Sequence, residues 1–209
     1  MKQVVARIPG PGGRGWAAMA MAFAAATLLL AGCAPPVYDA TDLKLAAQLG
    51  DKEQRWDEAR PLIRAHLLRH PDDPVAHFYY GLSFLHRKDA QLTLAEGELL
   101  TAQRLLERNG GIPEGATEMD LTVFTGELYQ KTALVYMRAY YESFRFNVPP
   151  EIQRDLLKKA VVQVEVGLQA RPDSLALKDY LGTLKELLGR MPEGAPDIIT
   201  QNAEKGSAI

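Results

Sequence analysis

The chain is expected to be all-helical, built from stacked helix pairs, and three observations lead there. Apolar residues recur three and four positions apart from residue 41 to residue 190, without the alternation that a half-buried strand needs. Capping and helix-breaking residues cut this stretch into seven segments. One set of residue spacings occurs twice, once near each end of the stretch.

The helices are expected at about 41–49, 53–70, 74–87, 91–108, 118–146, 150–171 and 174–190. The first rests on its periodicity. The second carries Ala59, Ile63 and His66 at spacings of 4 and 3 and stops before Pro71. The third opens on Asp73-Pro74, an N-cap followed by a proline where its missing N–H costs nothing. The fourth carries Ala95, Leu99 and Ala102 and ends at Asn109-Gly110-Gly111, a left-handed stop. Thr117 with Asp120 resembles a capping box for the fifth, which runs long, to about Phe146. At ~1.5 Å per residue it spans roughly 43 Å. Pro149-Pro150-Glu151 starts the sixth, with an acid suited to the helix dipole. Asp173-Ser174 caps the seventh, and Met191-Pro192 ends it. Residues 41–190 thus form the domain, and 191–209 read as a disordered polar tail.

The repeated spacings carry a family resemblance. Ala59, Ile63, His66 and Pro71 are matched by Ala160, Val164, Gly167 and Pro172. Tyr79-Tyr80-Gly81 follows the first proline at the same offsets as Tyr180-Leu181-Gly182 follows the second. This pattern resembles the tetratricopeptide repeat (TPR), a 34-residue helix–turn–helix unit. The resemblance implies that Gly81 and Gly182 admit close neighbours and that Pro71 and Pro172 end the second helix of a pair. Phe84 keeps the family's aromatic three residues after the glycine; Lys185 replaces it in the last helix, as a solvated terminal cap would. Glu107 stands where the middle unit would have its proline. The expected fold is therefore a TPR-like solenoid of about three repeats plus a C-terminal capping helix; an unrelated helical bundle is the alternative.

Cys33 is the only cysteine, so neither an intrachain disulfide nor a cysteine cluster is open to this chain. It ends Leu30-Ala31-Gly32-Cys33, after a basic stretch with Lys2, Arg7 and Arg14 and an apolar run from Ala17 to Leu30. That order is the order of a secretory signal, and the run is short for a bilayer span of ~20 residues. The tetrapeptide resembles the lipobox of bacterial lipoproteins. The resemblance implies cleavage of 1–32, a lipid on Cys33, and a tether over 33–40. Ala34 follows the cysteine, which resembles the pattern directed to the outer membrane, facing the periplasm, in a Gram-negative host.

The full chain carries 24 basic and 26 acidic residues. Losing the three basic residues of the signal takes the net charge to about −5, which argues against nucleic acid as a partner.

No candidate enzyme constellation emerges. His66 and His70 lie four apart, as a metal-binding pair would, but Leu67 replaces the glutamate of an HExxH motif. A histidine-dependent metalloenzyme is the least favoured expectation; no metal, catalytic residue or cofactor is assigned beyond the lipid on Cys33. A protein or peptide partner suits the chain better. The TPR resemblance places Phe78, Leu82, Glu127 and Gln130 among the groove-lining positions. Tyr136, Tyr140 and Phe144 form a stripe expected in the core, while Arg138, Tyr141 and Arg145 fall off it and belong to residue types that dominate interfaces. The function expected is a lipid-anchored envelope adaptor or scaffold that binds its partner through the groove, with assembly of an envelope or pilus-type machine as the role in view; a structural subunit of a larger envelope complex is the alternative.

Overall fold

The structure, a computed structural model, describes residues 38–191, and these are all-helical with no strand among them. The helices are α1 (Thr41–Ala47), α2 (Trp56–Arg69), α3 (Pro74–Leu85), α4 (Leu92–Asn109), α5 (Leu121–Ser143), α6 (Pro150–Ala170) and α7 (Leu175–Arg190). A π-helical turn, Gln48–Lys52, extends α1, and a 3-10 turn, Phe144–Phe146, extends α5. The expected signal peptide, Cys33 and the tail beyond Met191 lie outside the described residues.

The helix boundaries follow local chemistry. Asp73 caps α3 by accepting from Val75 N at 2.8 Å and Ala76 N at 3.3 Å. Gly110 takes φ +67° directly after α4, the left-handed stop expected of it. Ser174 accepts from Leu177 N to cap α7. Two starts differ from expectation. The cap of α5 is Asp120, which accepts from Val123 N at 2.8 Å, while Thr117 accepts from Met119 N in the preceding turn. Helix α2 begins at Trp56 because Gln54 takes φ 57°, outside the helical region. Helix α5 runs unbroken through Gly126.

Each helix packs chiefly on its neighbours in sequence, with lesser contacts between α1 and α3 and between α3 and α5. Two apolar clusters result. Leu43, Ile63, Leu82, Leu99 and Phe124 belong to the first, across α1–α5. Ala133, Tyr136, Leu157, Val164 and Leu184 belong to the second, across α5–α7. Helix α5 contributes to both and joins them. Gln103 fastens this junction: its Nε2 donates to Thr132 Oγ1 at 2.9 Å and to Gln163 Oε1 at 2.8 Å, linking α4, α5 and α6.

The paired glycines behave differently. A Cβ on Gly81 would lie 2.8 Å from Leu99 Cγ, so α3 and α4 meet there closely, as expected. A Cβ on Gly182 would meet nothing within 4 Å. The close approach expected at Gly182 does not occur, because among the described residues no helix follows α7. Lys185 is exposed, as expected, and reaches Glu165 at 2.8 Å.

Candidate partner-binding surface

A cleft of about 440 Å³ opens between the α1 end, α3 and the loop before α5. Lys44, Gln48, Asp51, Tyr79, Thr117 and Glu118 are among its walls. Tyr79 is nearly buried, and burial followed by the charge on Asp51 pushes its hydroxyl up to about 12. Burial also raises the carboxyl of Asp51, against the pull of Lys131 and with a push from Glu127.

Past the cleft, the surface turns basic. His86 closes α3 and stacks on Trp56, with ring centroids 5.2 Å apart and planes 9° from parallel. Trp56 in turn lies over Gly50, where a Cβ would come 2.5 Å from its ring. Burial, then the charges of Lys131 and Arg138, lower the pKa of His86, favouring the neutral ring. Arg138 donates from Nη1 to the carbonyl of Leu85, placing a cation at the α3 C-terminus where the helix dipole favours one.

The residues singled out from sequence divide into two sets. Phe78 and Leu82 are 2% and 1% exposed, so neither side chain reaches a partner. Phe78 instead meets Phe124 edge-on, with centroids 5.3 Å apart. The rotation of α3 turns Tyr79 toward the cleft in its place. Glu127 and Gln130 are half-buried, and Glu127 lies 3.8 Å from Arg171. Arg138 is half-buried, while Tyr141 and Arg145 are exposed. Of the aromatic stripe, Tyr136 and Tyr140 are buried, but Phe144 is 52% exposed. Phe144 leaves the core because the α-helix gives way there to the 3-10 turn.

The two histidines serve a corner of the fold. His66 is fully buried, and its Nε2 lies 2.8 Å from Asp73 Oδ2. Tyr38 donates to that same oxygen at 2.7 Å and stacks obliquely on His70, with centroids 5.0 Å apart. With Nε2 as donor, Nδ1 of His66 is the bare nitrogen and has no hydrogen-bond partner among the described residues. Among the described residues, no three His, Cys, Asp or Glu side chains group as metal ligands. Tyr38, within the segment expected as a tether, is fixed to the α2–α3 corner, and sequence spacing alone carries no signal for that contact. No helix of the described residues is long and apolar enough to cross a membrane.

Searches for similar proteins return no match to this chain among family models, curated proteins or solved structures.

Proposed function

We propose that this chain is a lipid-anchored adaptor of a bacterial cell envelope, held by Cys33 and docking a protein or peptide partner through a TPR-like groove. The observations that carry the docking role are the open 440 Å³ cleft and, on α5, the exposed Tyr141. Serial packing with contacts between alternate helices supports stacked pairs, and the Gly81–Leu99 approach supports the repeat register. Cys33 supplies position: two or more acyl chains hold a protein stably on a membrane, where one is marginal. The adaptor performs no chemistry of its own. In a Gram-negative host it sits at the outer membrane, facing the periplasm.

A photo-crosslinker in place of Tyr141, in native membranes, tests the docking role. One discrete crosslinked partner, lost on Arg138→Ala, is the expected result. A smear identical to that from a crosslinker at Lys158, on α6, would refute this surface.

Exposed apolar residues away from the cleft favour one second role, a structural subunit of a larger envelope complex. Leu68 is 80% and Leu175 74% exposed, on helices far apart in sequence. Obligate co-purification with neighbours would favour that role over the adaptor.

A further inference from the structure

Helix α5 reaches past the end of α3, with which it makes a lesser contact, and carries a specific pattern of charge along one face. Helix α3 has 12 residues and α5 has 23. Near its start, α5 turns Phe124 into the core against Phe78. Residues seven apart on a helix share a face to within about 20°. Continuing on the face of Phe124, the next positions are Lys131, Arg138 and Arg145. Arg138 reaches the carbonyl of Leu85, the last residue of α3, so everything beyond it overhangs that helix. The overhang through Phe146 projects roughly 13 Å, from ~1.5 Å per α-helical and ~2.0 Å per 3-10 residue. A face that is core at Phe124 is thereby solvent-facing at Arg145.

The stripe is cationic and only partly balanced: Lys131 pulls on Asp51 of the cleft wall, and Arg138 sits at the α3 C-terminus. None of the three forms an ion pair within 4 Å among the described residues, and the one hydrogen bond of Arg138 goes to a carbonyl. Nearby, Glu127 is turned to Arg171, and Glu142 is the carboxylate between the two arginines along the helix. Tyr141, 55% exposed, flanks the stripe. Yet the chain as a whole has a net charge of −2. A basic stripe selects for an acidic partner and repels basic ones.

Spacing narrows the partner further. Seven residues of α-helix advance about 10.5 Å. A polyproline-II chain has three residues per turn and advances about 3.1 Å per residue, so every third side chain returns to one face and one turn, about 9.3 Å, nearly matches one interval of the stripe. We propose that the basic stripe of α5 binds an acidic segment of a partner protein in polyproline-II conformation, with a carboxylate on every third residue. The segment lies along α5, its acids at Lys131, Arg138 and Arg145 and its intervening side chains against Tyr141.

The proposal rests on the docking role above, and its test separates the two. Fluorescence anisotropy would use fluorescein-labelled decapeptides of one composition, with Glu at positions 1, 4, 7 and 10 or with the four Glu consecutive. The spaced peptide is expected to bind at least about 10-fold more tightly, with affinity falling as salt screens the charges. Lys131→Glu with Arg145→Glu should remove that binding, while Lys158→Glu, off the stripe, should preserve it. Circular dichroism melts would establish that the variants fold; should the double variant not fold, Arg145→Gln alone should still weaken binding several-fold. No binding, equal binding of both peptides, or binding indifferent to the charge reversals would overturn the proposal. If Tyr141 still crosslinks one partner in membranes after such a result, docking stands and only the partner's chemistry is wrong.

Discussion

Tyr38 and Asp73 are joined by a 2.7 Å hydrogen bond across 35 positions of sequence. The same carboxylate faces His66 at 2.8 Å through one oxygen and caps α3 through the other. Asp73 therefore holds three things in register: the entry of the chain, the end of α2 and the start of α3. Burial, then the Asp73 hydrogen bond, raises the Tyr38 hydroxyl pKa, so that hydroxyl stays a donor.

Removing Asp73 should therefore cost more than an ordinary cap. Loss of a cap costs about 1 kcal/mol. A buried donor left without an acceptor costs about 1–3 kcal/mol. Asp73→Ala is expected to destabilise the domain by about 3 kcal/mol, and Tyr38→Phe by about 1 kcal/mol, on the scale of single hydrogen bonds. Urea denaturation measures both; equal and negligible losses would contradict the shared-carboxylate geometry.

The two repeat glycines should respond to alanine with opposite signs. At Gly81 the new methyl meets Leu99 at 2.8 Å and the Ala95 carbonyl at 3.2 Å, and overpacking of this kind costs about 1–3 kcal/mol. At Gly182 the methyl enters open space within α7, where alanine favours helix by about 1 kcal/mol. Thermal melts of Gly81→Ala and Gly182→Ala should shift down and up respectively.

His77 makes a pH prediction with a definite direction. Its Nδ1 lies 2.6 Å from Glu98 and its Nε2 2.9 Å from the Pro71 carbonyl. Two acceptors call for two N–H donors, which only the imidazolium has. Burial works against the charged ring, but the Glu98 hydrogen bond and the Pro71 carbonyl prevail and raise its pKa. A raised folded-state pKa contributes stability fully present below the unfolded value of about 6.5. That contribution is lost as pH rises through the folded-state value. Glu98→Gln should lower the His77 pKa in an NMR titration and flatten this part of the stability profile; an unchanged titration would contradict the pairing.

What could be read from sequence was mostly local. Asp73, Gly110 and Ser174 act on backbone groups within three residues of themselves, so their types announce the helix ends. Rotation of a helix about its axis is not local. Gly81 seats α3 against Leu99, and that contact buries Phe78 and Leu82 while turning Tyr79 to the cleft. The repeat pattern identifies the glycine but not which neighbours it leaves exposed. The overhang of α5 likewise depends on where α3 ends beside it, which no spacing within α5 encodes. The expected core position of Phe144 failed because the α-helix gives way there to a 3-10 turn, which no spacing announces. Tyr38 was hidden by distance in the chain, since its partner lies beyond two intervening helices.

The anchor is the central claim of the proposed adaptor role, because an adaptor acts through where it is held. Metabolic labelling with radioactive palmitate, followed by membrane fractionation, tests it most directly. The wild-type chain should incorporate label and sediment with membranes, and Cys33→Ser should lose the label and appear in the soluble fraction. Label and membrane association unchanged in Cys33→Ser would contradict the account.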